Sequence, residues 1–354
     1  MTLIAGIISR NSNHQVPVSI CDSLRKAISR SLSDEITVFK NSSSYFVKTD
    51  IGAFGVPAFK TDEDGLITLI AGEPLLSFND DGKRQDRQKD TDFIHKECAN
   101  GNFDVFRKAQ GMFCAVNYQP SGGTISLIAD KLCLRPLYFW INEKYVIFAS
   151  ALRILEGIAE IPKQMDIRAL TEMVGLGYPL GDRTPYMNVF LLKAAEIVQI
   201  TENKISRRQY WRWDEIETSS DSEENLLSEL YGQFENATAR RIGNDKTTLA
   251  YLSGGLDSRC VVAALHSQNV RVHTFNFSRP NTQDQMCGLD FARKINTIHE
   301  EVQKEPGNLV PDYALLMAQA WSASKNRENF SAEHPALVWN GEGGSVALGH
   351  VHIN

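Results

Sequence analysis

Short apolar runs and strict alternation dominate the first 155 residues. Leu3–Ser9, Tyr45–Thr49, Leu66–Ile70, Phe113–Tyr118, Ile125–Asp130 and Tyr145–Ser150 are rich in β-branched and aromatic residues, which predicts strands. Around Val18–Leu32 and Thr91–Ala109 apolar residues instead recur at three and four positions, the spacing of an amphipathic helix. Strands mixed with a few helices predict a layered α+β domain rather than a simple βαβ repeat. From Asp166 to Trp213 the pattern predicts a short helix and then β-like segments ending at Tyr210-Trp211. The polar run Glu217–Glu224 predicts a linker, and Asp221 or Ser222 is placed to cap a helix over Asn225–Ile242. The rhythm then changes to strand, loop, helix: Thr247–Leu252, a glycine loop, Ser258–Ser267, then Val270–Phe277 and Gln285–Asn296. That alternation predicts a parallel α/β sheet.

Composition adds limits. A chain of 354 residues, 42% apolar and 23% charged, has room for two domains with separate cores. A net charge of −6 supplies no basic field, so no nucleic-acid or anionic-membrane partner is expected. Arg207-Arg208 and Arg240-Arg241 read as solvated faces. The six cysteines make no C-x-x-C pair, so they fit neither a zinc site nor a disulfide framework. The start, Met1 to Ile8, is apolar but short and lacks a basic region, unlike a signal peptide. No stretch nears the roughly 20 apolar residues that span a bilayer. A cytoplasmic protein is expected.

Candidate chemistry centres on residues 247–269. A buried strand enters Ser253-Gly254-Gly255, where two glycines allow positive φ and let a ligand approach the backbone. A helix is expected to begin at Asp257 or Ser258, and its unpaired N–H groups and dipole favour an anion there. Ser253 and Ser258 add hydroxyls, and Asp257 would repel a phosphate unless a cation intervened, which implies Mg²⁺. No Walker-type G-x-x-x-x-G-K-[ST] is present. An ordinary turn with Asp257 as helix cap is the alternative on local chemistry alone.

Ser-Gly-Gly-x-Asp-Ser after a strand resembles the signature of the ATP pyrophosphatases. Several further stretches are similar to the asparagine synthetase family, which includes β-lactam synthetases and lasso-peptide macrocyclases. They are Gly111–Val116, Ala129–Tyr138, Phe148-Ala149-Ser150, Thr184–Val189, His273-Thr274-Phe275, Thr297–Glu300 and Asn340–Gly344. The resemblance implies a glutamine amidotransferase-like Ntn-hydrolase four-layer sandwich over 1–160 and a linker segment over 161–220. An ATP-pyrophosphatase domain, C-terminally incomplete, would follow over 221–354. By the same resemblance Leu252, Phe277 and Gly341 line an adenine pocket, with Ser253, Gly254, Gly255 and Ser258 on the phosphates. Asp257 would hold Mg²⁺, and Glu342 would stand near the substrate carboxylate as the catalytic carboxylate. Arg259, where a small hydroxyl residue is usual, is expected to contact a phosphate or an anionic substrate.

The resemblance also implies losses. The family's glutaminase nucleophile is an N-terminal cysteine; here the position is Thr2, itself able to act as a nucleophile. The oxyanion-hole asparagine reads Ala71, and the arginine that grips glutamine's carboxylate has no counterpart in Gly52–Lys60. Asp90 matches the aspartate that binds the α-amino group. Because one lost oxyanion donor costs about 10²–10³ in rate, glutaminase activity is expected to be absent and Thr2 and Asp90 vestigial. Ser345 and Val346 replace the second metal aspartate and its neighbour, and no C-terminal lysine can be assigned. His350 and His352 read as ordinary histidines. The leading expectation is ATP- and Mg²⁺-dependent amide formation on a small-molecule or peptide carboxylate, with nitrogen from ammonia or a substrate amine. The other is a degenerate member that binds nucleotide or a partner without turnover. A homodimer is the self-association this leaves open.

Overall fold

A computed structural model of the chain describes residues 2–11, 14–29, 34–50, 58–76, 87–243, 245–303, 313–329 and 338–342. The chain divides into two units, Met1–Thr218 and Ser219–Asn354. The first opens with β1 (Thr2–Ser9), α1 (Val18–Ile28), β2 (Ile36–Lys40), β3 (Ser44–Asp50), β4 (Phe59–Thr61), β5 (Ile67–Gly72) and α2 (Arg87–Ala99). Then come β6 (Phe113–Gln119), β7 (Thr124–Ala129), β8 (Tyr138–Ile141), β9 (Tyr145–Ala149), α3 (Leu152–Glu156) and α4 (Ile167–Leu176). β10 (Val189–Leu191), β11 (Glu196–Ile200) and β12 (Ile205–Gln209) complete it.

These strands form two six-stranded sheets with neighbour orders β10-β8-β9-β1-β3-β2 and β12-β11-β7-β6-β5-β4. Every residue of β1 is buried, which explains its unbroken apolar run. Its alternate side chains serve two cores. Ile4 and Ile8 join Phe46, Leu69, Val116, Tyr118 and Phe148 between the sheets. Leu3, Ala5 and Ile7 face the other way, onto Ile20, Leu24 and Ile28 of α1 and Ile154 of α3. The outer face of the second sheet packs Ile70, Phe113 and Ile128 against Ile94 and Cys98 of α2. The result is four layers, helix–sheet–sheet–helix.

The strands expected from alternation all form, within a residue or so at each end. Two readings change. Residues 161–220, expected as a linker segment, supply β10 to one sheet and β11 and β12 to the other. The short helix and β-like segments expected there do form; β10 and β12 lie at sheet edges, and β11 lies inside its sheet between β12 and β7. The helix expected over Thr91–Ala109 starts earlier, at Arg87, and breaks at Gly101, whose φ is +74°. A separate 3₁₀ turn, Phe103–Lys108, follows.

The second unit runs α5 (Glu223–Ile242), β13 (Thr247–Tyr251), α6 (Leu256–Ser267), β14 (Arg271–Asn276), α7 (Gln283–Lys294), β15 (Ile298–Glu301), α8 (Tyr313–Ala323) and β16 (Val338–Trp339). Ser222 caps α5 by accepting from Asn225 N. The four strands are parallel, in the order β15-β14-β13-β16. Ile242, Ala250, Val262, Leu265, Val272 and Ala292 form a core under β13 and β14. Among the described residues no helix is long and apolar enough to cross a membrane.

Candidate nucleotide site and the cluster around Thr2

In the second unit β14 lies on one side of β13 and β16 on the other. The chain therefore leaves the carboxyl end of β13 where the strand order reverses. In open parallel sheets that crevice is where ligands bind. Leu252, the Ser253–Ser258 loop, Phe277 and Gly341 all follow the carboxyl ends of β13, β14 and β16, so the fold brings the expected nucleotide residues to one edge.

The loop is tied by its serines. Ser253 N donates to Ser258 Oγ at 3.1 Å, the two hydroxyls lie 3.0 Å apart, and Gly255 N donates to Ser253 Oγ at 3.1 Å. Ser258 is buried, so its hydroxyl holds the loop's two ends together. The helix begins one residue earlier than expected, at Leu256, with Gly255 in the cap position and no side-chain cap. Asp257 thus lies inside the first turn of α6 and does not cap it. Arg259 Nε donates back to the Gly255 carbonyl at 3.3 Å.

Two glycines are required by close packing. A Cβ on Gly341 would stand 2.5 Å from Ser258 N, so β16 brings bare backbone against the start of α6. A Cβ on Gly254 would stand 2.6 Å from the Asp284 carbonyl oxygen. The Asp284 carboxylate accepts the Gly254 N–H at 2.7 Å and also pairs with the Ser278 hydroxyl. Sequence reasoning missed Asp284; its only local signal was a place just after Thr282, the cap of α7.

Leu252 is buried, its N–H donating to Phe275 O at 2.9 Å, and Phe277 stacks obliquely on Tyr251 at 5.7 Å. Glu342 is exposed and held by Asn340, whose Nδ2 donates to Glu342 Oε2 at 3.2 Å. Residues 343–354, with Ser345, Val346, His350 and His352, lie outside the described residues. Among those described, no three His, Cys, Asp or Glu side chains are grouped to hold a metal ion.

Beside this edge His273 is fully buried on β14, stacked on Phe275, with its Nε2 2.8 Å from Glu300 on β15. Burial lowers the His273 pKa despite Glu300, which raises it.

In the first unit Thr2 is buried among charges that the sequence reading did not connect. Its hydroxyl donates to Asp50 and accepts from Arg87 Nη1 at 2.9 Å. Lys48 Nζ pairs with the other oxygen of Asp50. Asp90, one turn beyond Arg87 on α2, is also buried and accepts the Leu76 N–H at 3.3 Å. Ala71, at the position of the expected asparagine, is in β5. Residues 51–57, most of the stretch searched for a carboxylate-gripping arginine, lie outside the described residues. Lys48 and Asp50, charged residues in a run otherwise fit for burial, were the missed signal.

Known proteins match both halves. The family model of the glutamine amidotransferase domain matches residues 76–211, and that of asparagine synthase matches residues 229–323. A putative asparagine synthetase [glutamine-hydrolyzing] 2 of Methanocaldococcus jannaschii is 27% identical over 75% of this chain and 55% of its own. Both halves of this chain are thus similar to the asparagine synthetase family.

Asparagine synthetase [glutamine-hydrolyzing] 3 of Bacillus subtilis is 23% identical over 51% of this chain and 30% of its own. The chain spans about half the length, or less, of these asparagine synthetase relatives. Among solved structures, a glutamine phosphoribosylpyrophosphate amidotransferase from B. subtilis, complexed with ADP and GMP, is loosely similar. It covers 99% of this chain and 94% of its own, at 10% identity and a TM-score of 0.41.

Proposed function

We propose that the second unit binds ATP with Mg²⁺ on the Ser253–Ser258 loop and serves ATP-dependent amide formation, the carboxylate being activated as an adenylate. The observation that carries this is the serine-tied loop at the strand-order reversal, with the start of α6 and the bare backbone of Gly341 beside it. Those features fit the group: glycine backbone lets a polyphosphate approach, and helix N–H groups and dipole favour its charge. Ser253, Gly254, Gly255 and Ser258 would hold the phosphates, Leu252, Phe277 and Gly341 the adenine, and Asp257 the Mg²⁺. Bound ATP supplies the adenylyl group, with AMP and pyrophosphate as its products. Glu342, exposed at the same edge, is the carboxylate assigned to the reacting substrate.

The nitrogen on this reading comes from ammonia or from an amine of the substrate, the latter pointing to ring closure as in lasso-peptide or β-lactam synthesis. Pyrophosphate release from ATP is the test, with aspartate with and without ammonium and then with candidate peptides. One observation favours the non-catalytic alternative: the Asp284 carboxylate holds the Gly254 N–H, a position suited to a phosphate oxygen. Nucleotide binding by calorimetry with no pyrophosphate released under any condition would leave only that alternative.

A further inference from the structure

In the second sheet of the first unit, cross-strand partners line up in rows under α2. One row, Ile70, Ala115, Ile128 and Ile197 on β5, β6, β7 and β11, is apolar throughout. Two residues along each strand, and so on the same face, the next row reads Thr68, Asn117, Ser126 and Gln199. Every member is polar, and the first three are at most 2% exposed. Such a row is costly to bury unless each group finds a partner. Gln199 Nε2 donates to Ser126 Oγ at 3.2 Å, and Asn117 Nδ2 to Thr68 Oγ1 at 2.9 Å. A further partner comes from α2, whose buried face carries Thr91, Ile94, His95 and Cys98. His95 Nδ1 lies 3.0 Å from Thr68 Oγ1.

The directions of these bonds fix the imidazole. Thr68 Oγ1 receives the Asn117 amide, so its own hydrogen goes to His95 Nδ1, which accepts. The ring hydrogen is then on Nε2, which faces Asp62 Oδ2 at 3.7 Å. Thr68 is wholly buried, whereas the Asp62 side chain is 38% exposed, its other oxygen accepting the Leu66 N–H at 2.9 Å. His95 therefore stands between a buried hydroxyl and a carboxylate at the surface. Among the described residues, the other charges acting on it are Lys60 on β4 and Asp92 on α2, which pair with each other at 3.6 Å. From β5 and β6 it meets the neutral Thr68 and Asn117.

We propose that His95 is an acid-operated latch on α2: neutral, it fastens the helix to Thr68, and protonated, it turns to Asp62 and frees that stretch of helix from the sheet. A protonated imidazole has two donors and no acceptor. Its Nδ1–H would meet an oxygen already filled by Asn117, and the Thr68 hydrogen would lose its acceptor inside the protein. At Nε2 the new charge gains the Asp62 carboxylate and water. Burial holds the His95 pKa below the ordinary histidine value, against the upward pull of Asp62. The latched helix thus resists the proton and the freed helix takes it up, so acid drives release and neutral pH keeps the latch shut. The consequence lies further along the helix. α2 also carries Arg87, which reaches the Thr2 hydroxyl, and the buried Asp90, so proton uptake at His95 is coupled to the charged cluster at Thr2.

The test is amide hydrogen exchange of the whole chain from about pH 7.5 to about pH 4.5, corrected for the intrinsic rate at each pH and read on peptides from α2 and from β6. Once His95 begins to titrate, the α2 amides are expected to lose protection by about tenfold per pH unit, the dependence that one proton gives, while β6 keeps its protection. In H95N an amide oxygen can still accept from Thr68 but nothing titrates, so α2 protection should stay flat. D62N, lacking the anion, should move the loss to lower pH. Thermal unfolding identifies a variant that fails to fold, and the wild-type pattern with either variant suffices. No loss in α2, equal loss in α2 and β6, loss that persists in folded H95N, or an unshifted loss in folded D62N overturns the proposal.

Discussion

The Asp284 carboxylate accepts the backbone N–H of Gly254 at 2.7 Å, placing a negative charge inside the loop proposed to hold phosphates. Charges about 4 Å apart interact by about 1 kcal/mol even in bulk water. D284N is therefore expected to bind pyrophosphate about fivefold more tightly than the wild-type chain, as read by calorimetry. Weaker binding would instead make Asp284 a support of the loop.

Gly341 tests the same edge from the other side. The Cβ of G341A would meet Ser258 N at 2.5 Å, and backbone cannot swing aside as a side chain can. The variant is expected to lose about 1–3 kcal/mol of stability, the usual cost of overpacking, and to weaken ATP binding. Thermal unfolding and calorimetry read the two effects.

Gly6 does the equivalent work in the first unit. A Cβ there would lie 2.7 Å from Phe46 Cδ1 and 2.8 Å from Phe148 Cζ, inside the core between the sheets. G6A is expected to cost about 1–3 kcal/mol, seen as a lower midpoint in urea with an unchanged slope.

Three histidines, His95, His273 and His299, have pKa values lowered chiefly by burial. Above the ordinary histidine value of about 6.5 they are neutral folded or unfolded, so stability there is unaffected by them. Below it the unfolded chain takes up protons that the folded chain resists, and stability falls with pH until the folded values are passed. Midpoints in urea between pH 8 and pH 5 should fall on the acid side. H273Q should reduce that slope; an unchanged slope would show that His273 does not contribute.

Much of the candidate nucleotide site was legible because its signal is local. Ser253-Gly254-Gly255 needs only its own strand, its own glycines and the helix that follows. Strands β1, β3, β5, β6, β7 and β9 were legible for the same reason, alternation and apolar runs written within each segment, whereas β2, β4 and β8 were not read. The β-like segments expected before Tyr210 form as β10, β11 and β12, but which sheet each joins is set by the partners it finds. Asp284 was missed because it is 30 residues from Gly254, and only the pairing of β13 with β14 brings them together.

Thr2 marks the boundary most sharply. By itself the sequence determined that a hydroxyl stands where the family resemblance places a thiol, and that Asp90 is retained. The tertiary structure decided what surrounds that hydroxyl. Lys48 and Asp50 reach it only through the antiparallel register of β1 with β3, and Arg87 only through the placement of α2. Periodicity assigns a residue to a face, but register decides which face it meets, because a shift of one residue turns every side chain to the opposite side.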